Sequence, residues 1–398
     1  MPDSSPPRPL SGLRVIDFST LVAGPWCTRL LADCGAEVIK IEAAGEGDVL
    51  RHSSAFPGGV SRTFAHFNCG KRCVAIDLKT PAGVELARRL IERADVVVEN
   101  FRPGVMAKLG LDYARVSVNH PRLVYCSVSG FGQDGPMSQQ AAYAPIVHAL
   151  SGFDFAVLRA QREVMEPLAS GVMIADVVAA AYAFGAIQTA LLRREREGRG
   201  AHIDATLIEA MLSLVAIQVQ EAQAPAPAQP KVFRPTRTAD GHAIVPLVSA
   251  RNYVALYPVI GKPEWSGDPS FTSLRGIVAR AAEIDSALAA WASTRKTDDV
   301  VAAVVSAGLP CSRYRAPEEV LRDEHLIARG SFAPRADAKG EYVVVNPPFR
   351  FADATLAALP SVGALGEHTR EVLSEVLGLG DAKLDSLTVA GAFGAPRT

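Results

Sequence analysis

The chain lacks most features that would commit it to a specialised environment. Cysteine is scarce, with six among 398 residues, and a chain this long has core enough to need no disulfide staples, so the six read as reduced thiols. Cys69 and Cys73 are spaced like half of a metal site, but no second Cys or His pair completes it, and no metal is expected. Excess charge is missing too. The net charge of −1 lacks the basic surplus that nucleic-acid or membrane-surface binding requires. No uninterrupted apolar run reaches the ~18 residues of a membrane span. The opening MPDSSPPRPLSG has neither a basic start nor an apolar stretch, so no signal peptide is expected. With 48% hydrophobic and 21% charged residues, what remains is a cytoplasmic globular protein, by default an enzyme.

The strongest pattern runs from Glu166 to Arg199. Pro167 and Gly171 stop any earlier helix, so a long apolar helix is expected from about Val172. Arg193, Arg194 and Arg196 suit its C-terminal dipole, and Gly198 and Gly200 end it. Asp176 stands alone at its front, where the dipole favours an ionised carboxylate. Such a group is either a helix cap or a nucleophile.

From Leu13 to about Ile217, short β-branched runs alternate with helical ones. Strands are expected at 13–18, 37–42, 72–78, 95–100 and 123–130, helices at 26–35 and 81–94, and a glycine-rich loop at 43–70. This alternation gives an α/β, Rossmann-like, doubly wound parallel sheet in a large domain spanning 1–220. The Ala/Pro stretch 221–236 reads as a linker. A smaller α+β domain follows over 237–330, with strands at 242–247 and 311–315. Residues 331–398 return to the large domain through a hairpin turning at Lys339-Gly340 and a last helix at 367–378.

Gly130-Phe131-Gly132-Gln133-Asp134-Gly135 has the form of a dinucleotide fingerprint, with Asp154 placed as a ribose carboxylate. It follows roughly the fifth strand rather than the first, and Pro136 to Gln140 do not open an apolar helix. A loop shaped for close backbone approach fits better. Lys71, Arg72, Lys79, Arg102 and Lys108 follow strand ends, where open α/β sheets bind ligands, and suit an anionic ligand.

LRVIDFSTLVAGPWCTRLLADCGAEVIKIE, FNCGKRCVAIDLKTPAG, ADVVVENFRPGVMAKLG, SGFGQDGP, ASGVMIADVVAA and RREREGRGAHIDATLIEAML together resemble the class III coenzyme A transferases (CaiB/BaiF-like), a family that includes the 2-methylacyl-CoA racemases. The resemblance implies an interlocked homodimer, acyl-CoA and a small carboxylic acid as substrates, and no permanently bound cofactor. It makes Asp176 the nucleophile, with Tyr143 and the Gly132 loop positioning the acyl group. Leu78, Lys79, Asn100, Phe101, Arg102 and Lys108 match the CoA-contacting segments, and Val22 and Ala23 the substrate region. Ala43 stands where the family often has Arg, with Lys40 or Arg51 as possible substitutes. The racemases carry a His-Asp dipeptide where this chain has Tyr143-Ala144, which favours transfer over racemisation. His148 reads as a packed histidine rather than a replacement base. Arg313 and Arg315 are either ligands for the second carboxylate of a dicarboxylic acid or plain surface arginines. A racemase, a dinucleotide-dependent oxidoreductase and a CoA-binding module are the alternatives.

Overall fold

The computed structural model describes residues 8–53, 61–159, 166–167, 170–223, 233–337, 340–354 and 356–394. Residues 224–232 of the expected linker, and Lys339 of the expected hairpin turn, lie outside these. The chain divides into two compact units, Met1–Pro225 with Ala328–Thr398, and Ala226–Ile327.

In the first unit the elements run β1 (Arg14–Asp17), α1 (Ala23–Asp33), β2 (Glu37–Ala43), α2 (Arg62–Asn68), β3 (Arg72–Ile76), α3 (Pro81–Ile91), β4 (Val96–Glu99), α4 (Val105–Leu109), α5 (Tyr113–Val116), β5 (Val124–Ser129), α6 (Ala144–Leu150), α7 (Phe153–Arg159), α8 (Ile174–Glu197), β6 (Ala201–Thr206) and α9 (Leu207–Leu214). The six strands form one sheet in the order β3-β2-β1-β4-β5-β6, every pair parallel. Neighbouring residues point to opposite faces, as the two-residue period of a strand demands. Val15, Val96, Val98 and Cys126 pack with α1, α8 and α9 on one face. Ile16, Ile39, Val97 and Tyr125 pack with α3 and the C-terminal helices on the other. Each such aliphatic side chain, withdrawn from water, contributes about 1.5–3 kcal/mol.

The edge strand β3 would expose a row of unpaired amides. The returning C-terminal segment covers it: Cys73 N–H donates to His368 Nδ1 (3.1 Å) and Ala75 N–H to Thr369 Oγ1 (3.1 Å). The hairpin β10 (Phe332–Asp337) and β11 (Gly340–Val345) belongs to this return. In the second unit, β7 (Pro235–Arg237), β8 (His242–Ile244) and β9 (Ser312–Arg313) form a small antiparallel sheet, and Trp265 stacks on Phe271 with ring centroids 4.3 Å apart.

Three elements depart from expectation. β6 (AHIDAT) is a strand although only Thr206 in it is buried, so its composition gave no apolar signal. α2 lies inside the segment read as loop, started by the Ser61 hydroxyl accepting Phe64 N–H at 3.1 Å. A further helix, Asp381–Val389, follows the one expected to be last. No uninterrupted apolar run reaches the length of a membrane span, yet one helix is long and apolar enough on average to meet that test. α8, at 24 residues, passes that test by length and composition, because Asp176, Gln188 and Thr189 interrupt its apolar run without lowering its average much. Its stripe of Ala175, Ala179, Ala183 and Ile187 is buried in the core shared with α1, which places it as a core helix of this unit.

Candidate active site

Asp176 sits in the first turn of α8, whose amides have no intrahelical acceptors. Its own backbone amide and that of Ala23, the first residue of α1, lie near enough to favour its ionised form. Val22, the N-cap of α1, provides no side-chain cap, so the first amides of that helix are left for a neighbouring anion. Two positive helix ends therefore meet on one carboxylate. The expectation that this keeps Asp176 readily ionised is corrected by burial: desolvation outweighs both amides and pushes its pKa up to about 6. Among the described residues no cation offsets that burial.

Behind it, fully buried His148 accepts the Ala175 N–H on Nε2 at 3.1 Å. A ring nitrogen that accepts carries no proton, so this geometry assigns the imidazole as neutral with its proton on Nδ1. His148 is thus a packed residue that caps α8, in keeping with the reading from its neighbours.

Asp176 opens into a cavity of about 590 Å³ at the C-terminal ends of β1, β4 and β5. The order β3-β2-β1-β4 reverses direction between β1 and β4, and this switch point is where open α/β sheets hold ligands. Val22, Ala23, Asn100, Phe101, Arg102 and Tyr143 all line the cavity with Asp176. Among the described residues that line it, Arg102 is the one permanent cation and Asp176 the one carboxylate.

Other candidates lie elsewhere. Leu78, Lys79 and Lys108 are outside the lining. So is Gly132, whose N–H is already given to Ser129 Oγ (3.0 Å), while Gln133 N–H goes to Asp204 (2.8 Å); of this loop only Gly130 reaches the cavity. The loop leads into no helix directly, unlike a dinucleotide fingerprint. Arg313 pairs with Asp298 (3.3 Å) and Glu319 (3.0 Å), and Arg315 with Asp323, all within the second unit.

The reading of Lys71 and Arg72 as anion ligands is wrong. Lys71 is buried against Asp17 (3.0 Å), Pro25 O (2.9 Å) and Asn68 Oδ1 (2.8 Å). Arg72 is held by Glu37, Glu371 and Glu375. The two substitutes for the missing basic residue at Ala43 are likewise engaged. Lys40 is buried against Asp48 at 3.0 Å, and Arg51 is paired with Glu42 at 2.6 Å. Among the described residues no group of three or more His, Cys, Asp and Glu is placed to hold a metal ion.

Sequence reasoning missed the buried network under the cavity floor. Asp17 accepts Lys71, Ser19 and Thr28, and Lys40 donates to Ser19 O at 2.7 Å. The available signal was charged residues inside otherwise apolar strand patterns, Asp17 in RVID and Lys40 in EVIKIEA. Gly24 belongs to the same construction. A Cβ there would stand 2.2 Å from Ser19 Cβ, so only glycine lets α1 start this close to β1. Gly24→Ala is expected to destabilise the protein by about 1–3 kcal/mol, read as a fall in chemical-denaturation midpoint; an unchanged midpoint counts against the close approach.

A family model described as CoA-transferase family III matches residues 10–369. The chain is 34% identical to a succinate–glutarate CoA-transferase of Agrobacterium fabrum, over 94% of this chain and 97% of that one. It is 33% identical to a succinyl-CoA–D-citramalate CoA-transferase of Chloroflexus aurantiacus, over 97% and 98%. The solved structure of a CaiB/BaiF family protein from Brucella suis superposes with a TM-score of 0.80 at 31% identity, covering 93% of this chain and all of that one. With matches of this extent, the chain belongs to CoA-transferase family III and is a CoA-transferase.

Proposed function

We propose that this enzyme moves coenzyme A from an acyl-CoA donor to a small dicarboxylic acid, with Asp176 as the covalent carrier. The observation that carries the reading is one carboxylate, Asp176, the one acid among the described residues that line the cavity, kept from easy ionisation by burial. The Asp176 carboxylate attacks the thioester carbonyl, and the C–S bond breaks to give a mixed anhydride and CoA thiolate. The thiolate then attacks the aspartyl carbonyl, releasing the donor carboxylate and leaving an aspartyl-CoA thioester. The acceptor carboxylate attacks that thioester, and the returning thiolate takes the acceptor's acyl group and frees Asp176. Each step exchanges activated acyl groups, so the bond energy of the thioester is conserved. No external proton donor is consumed.

Ala23 N–H, at the cavity wall beside Asp176, is the donor for the oxyanion formed on the aspartyl carbon. Tyr143 at the cavity mouth and Gly130 position the acyl chain, and Arg102 faces the anionic part of the substrate. Similarity to relatives named for succinate, glutarate and citramalate supports a dicarboxylic acceptor. Exposed Tyr182, Leu192 and Leu212 on α8 and α9 suit a second copy of the chain, as a cytoplasmic homodimer would supply.

Incubating the protein with a panel of acyl-CoAs without acceptor, then adding hydroxylamine or borohydride, should modify the peptide 171–193. A modification elsewhere, or none with any donor, overturns the assignment. The pH profile follows from the same carboxylate. Only its ionised form attacks, so kcat/KM is expected to rise through about pH 6 and level off above it. A profile flat from pH 5 to pH 8 contradicts this.

A further inference from the structure

The loop that carries the Ala23 amide is held in an unusual conformation. Leu21 has φ +65°, the one described non-glycine residue in the left-handed region. A branched side chain is disfavoured there, so surrounding contacts must impose it. Two side chains do so. Asn100, just past β4, accepts Thr20 N–H on Oδ1 (2.9 Å) and donates Nδ2–H to Thr20 O (2.8 Å), so both polar groups of its amide are spent on one backbone residue. Asp48 accepts Leu21 N–H (3.3 Å) and Leu50 N–H (2.9 Å) on Oδ1, and its own position is pinned by buried Lys40 at 3.0 Å. Lys40 also donates to Ser19 O (2.7 Å), which ties the near side of the turn to the same charge. Between these clamps the chain turns from β1 into α1 and brings Ala23, the first residue of that helix, to the cavity wall that also carries Asp176.

We propose that Asn100 and Asp48 are positioning residues, clamping the Thr20–Ala23 turn in its left-handed form so that the first amide of α1 stays aimed at the carboxylate and at the oxyanion that forms there. Asn100 then acts chiefly on the transfer step and not as a direct ligand of CoA. A loose turn leaves the donor displaced by an ångström or so, enough to cost about 10²-fold in rate. This inference rests on Asp176 being the covalent carrier.

The test is steady-state kinetics of Asn100→Ala with an acyl-CoA donor and a dicarboxylic acceptor, across a pH series. Among the described residues the charged and titratable groups around Asp176 are Arg102 and Tyr143 on the cavity wall and His148 behind Ala175, and none of them is altered. We expect kcat to fall by about 10²-fold and KM for the acyl-CoA to stay within about threefold. The acid limb of kcat/KM is expected to move to higher pH, because a carboxylate that loses an amide donor holds its proton more tightly. Unchanged kcat, a raised KM with kcat retained, or a lower kcat with the acid limb unmoved each overturns the clamp. Asn100→Ser keeps one hydroxyl for Thr20, adds no charge, and carries the same test should the alanine variant fail to fold. Asp176→Asn run alongside separates the two ideas: exchange surviving there removes the carrier reading, whereas loss there with an unmoved acid limb in the Asn100 variants removes only the clamp.

Discussion

Asp176→Asn abolishes CoA exchange while leaving a protein that folds at least as well as the parent. The amide keeps the shape of the side chain and an oxygen for the Ala23 N–H but has no nucleophilic carboxylate, so transfer is expected to fall by at least about 10⁴-fold. The stability change has the opposite sign. In the folded state this carboxyl is raised from 3.8 to about 6, so the folded protein holds the proton between those values where the unfolded chain releases it. Above pH 6 the folded state carries a poorly solvated charge, and its stability has declined relative to pH 4. Replacing the charge with an amide removes that cost. The full shift corresponds to about 3 kcal/mol, reduced by partial solvent access to roughly 1–2 kcal/mol at pH 7 to 8. Denaturation of both proteins at pH 4 and pH 7.5 checks the sign: the variant should gain only at the higher pH. A variant that still exchanges labelled CoA sinks the mechanism. One that loses stability at pH 7.5 sinks the account of a strained carboxylate.

Lys71→Met is expected to be the most damaging substitution away from the cavity. Burial alone would raise the Asp17 carboxyl, yet Lys71, Lys40 and the hydroxyls of Ser19 and Thr28 outweigh it and bring its pKa to about 2. Burial lowers the pKa of Lys71 to about 8 despite Asp17 beside it. Removing the ammonium leaves a buried carboxylate short of a partner, a loss of about 3–5 kcal/mol. Asp17→Asn combined with Lys71→Met should lose less than the sum of the single changes, since neither charge is then orphaned. A depressed carboxyl contributes stability above pH 3.8 that is lost as pH falls through about 2, so the Lys71→Met deficit should shrink in acid. Additive losses in denaturant melts argue that the pair is not coupled.

The two substitutions also mark different depths of legibility in the chain. Alternating β-branched and helical runs, with Thr80-Pro81 opening one helix and Gly198 closing another, determined a doubly wound parallel sheet, because these signals act over a few residues. The apolar helix with one acid at its front singled out Asp176 for the same reason. The resemblance carried by ENFR and by Tyr143 reached residues that line the cavity. Local pattern failed where a partner comes from far along the chain. Lys71 and Arg72 look like free cations until Asp17, 54 residues earlier, and Glu371, 299 residues later, are brought beside them. Gly132 looked free to position the acyl group until Ser129 took its amide. Asp176 looked readily ionised until the core around α1 and α8 removed its water. Only tertiary structure decided these, because desolvation and hydrogen-bond competition depend on what packs against a group, and sequence spacing does not encode that.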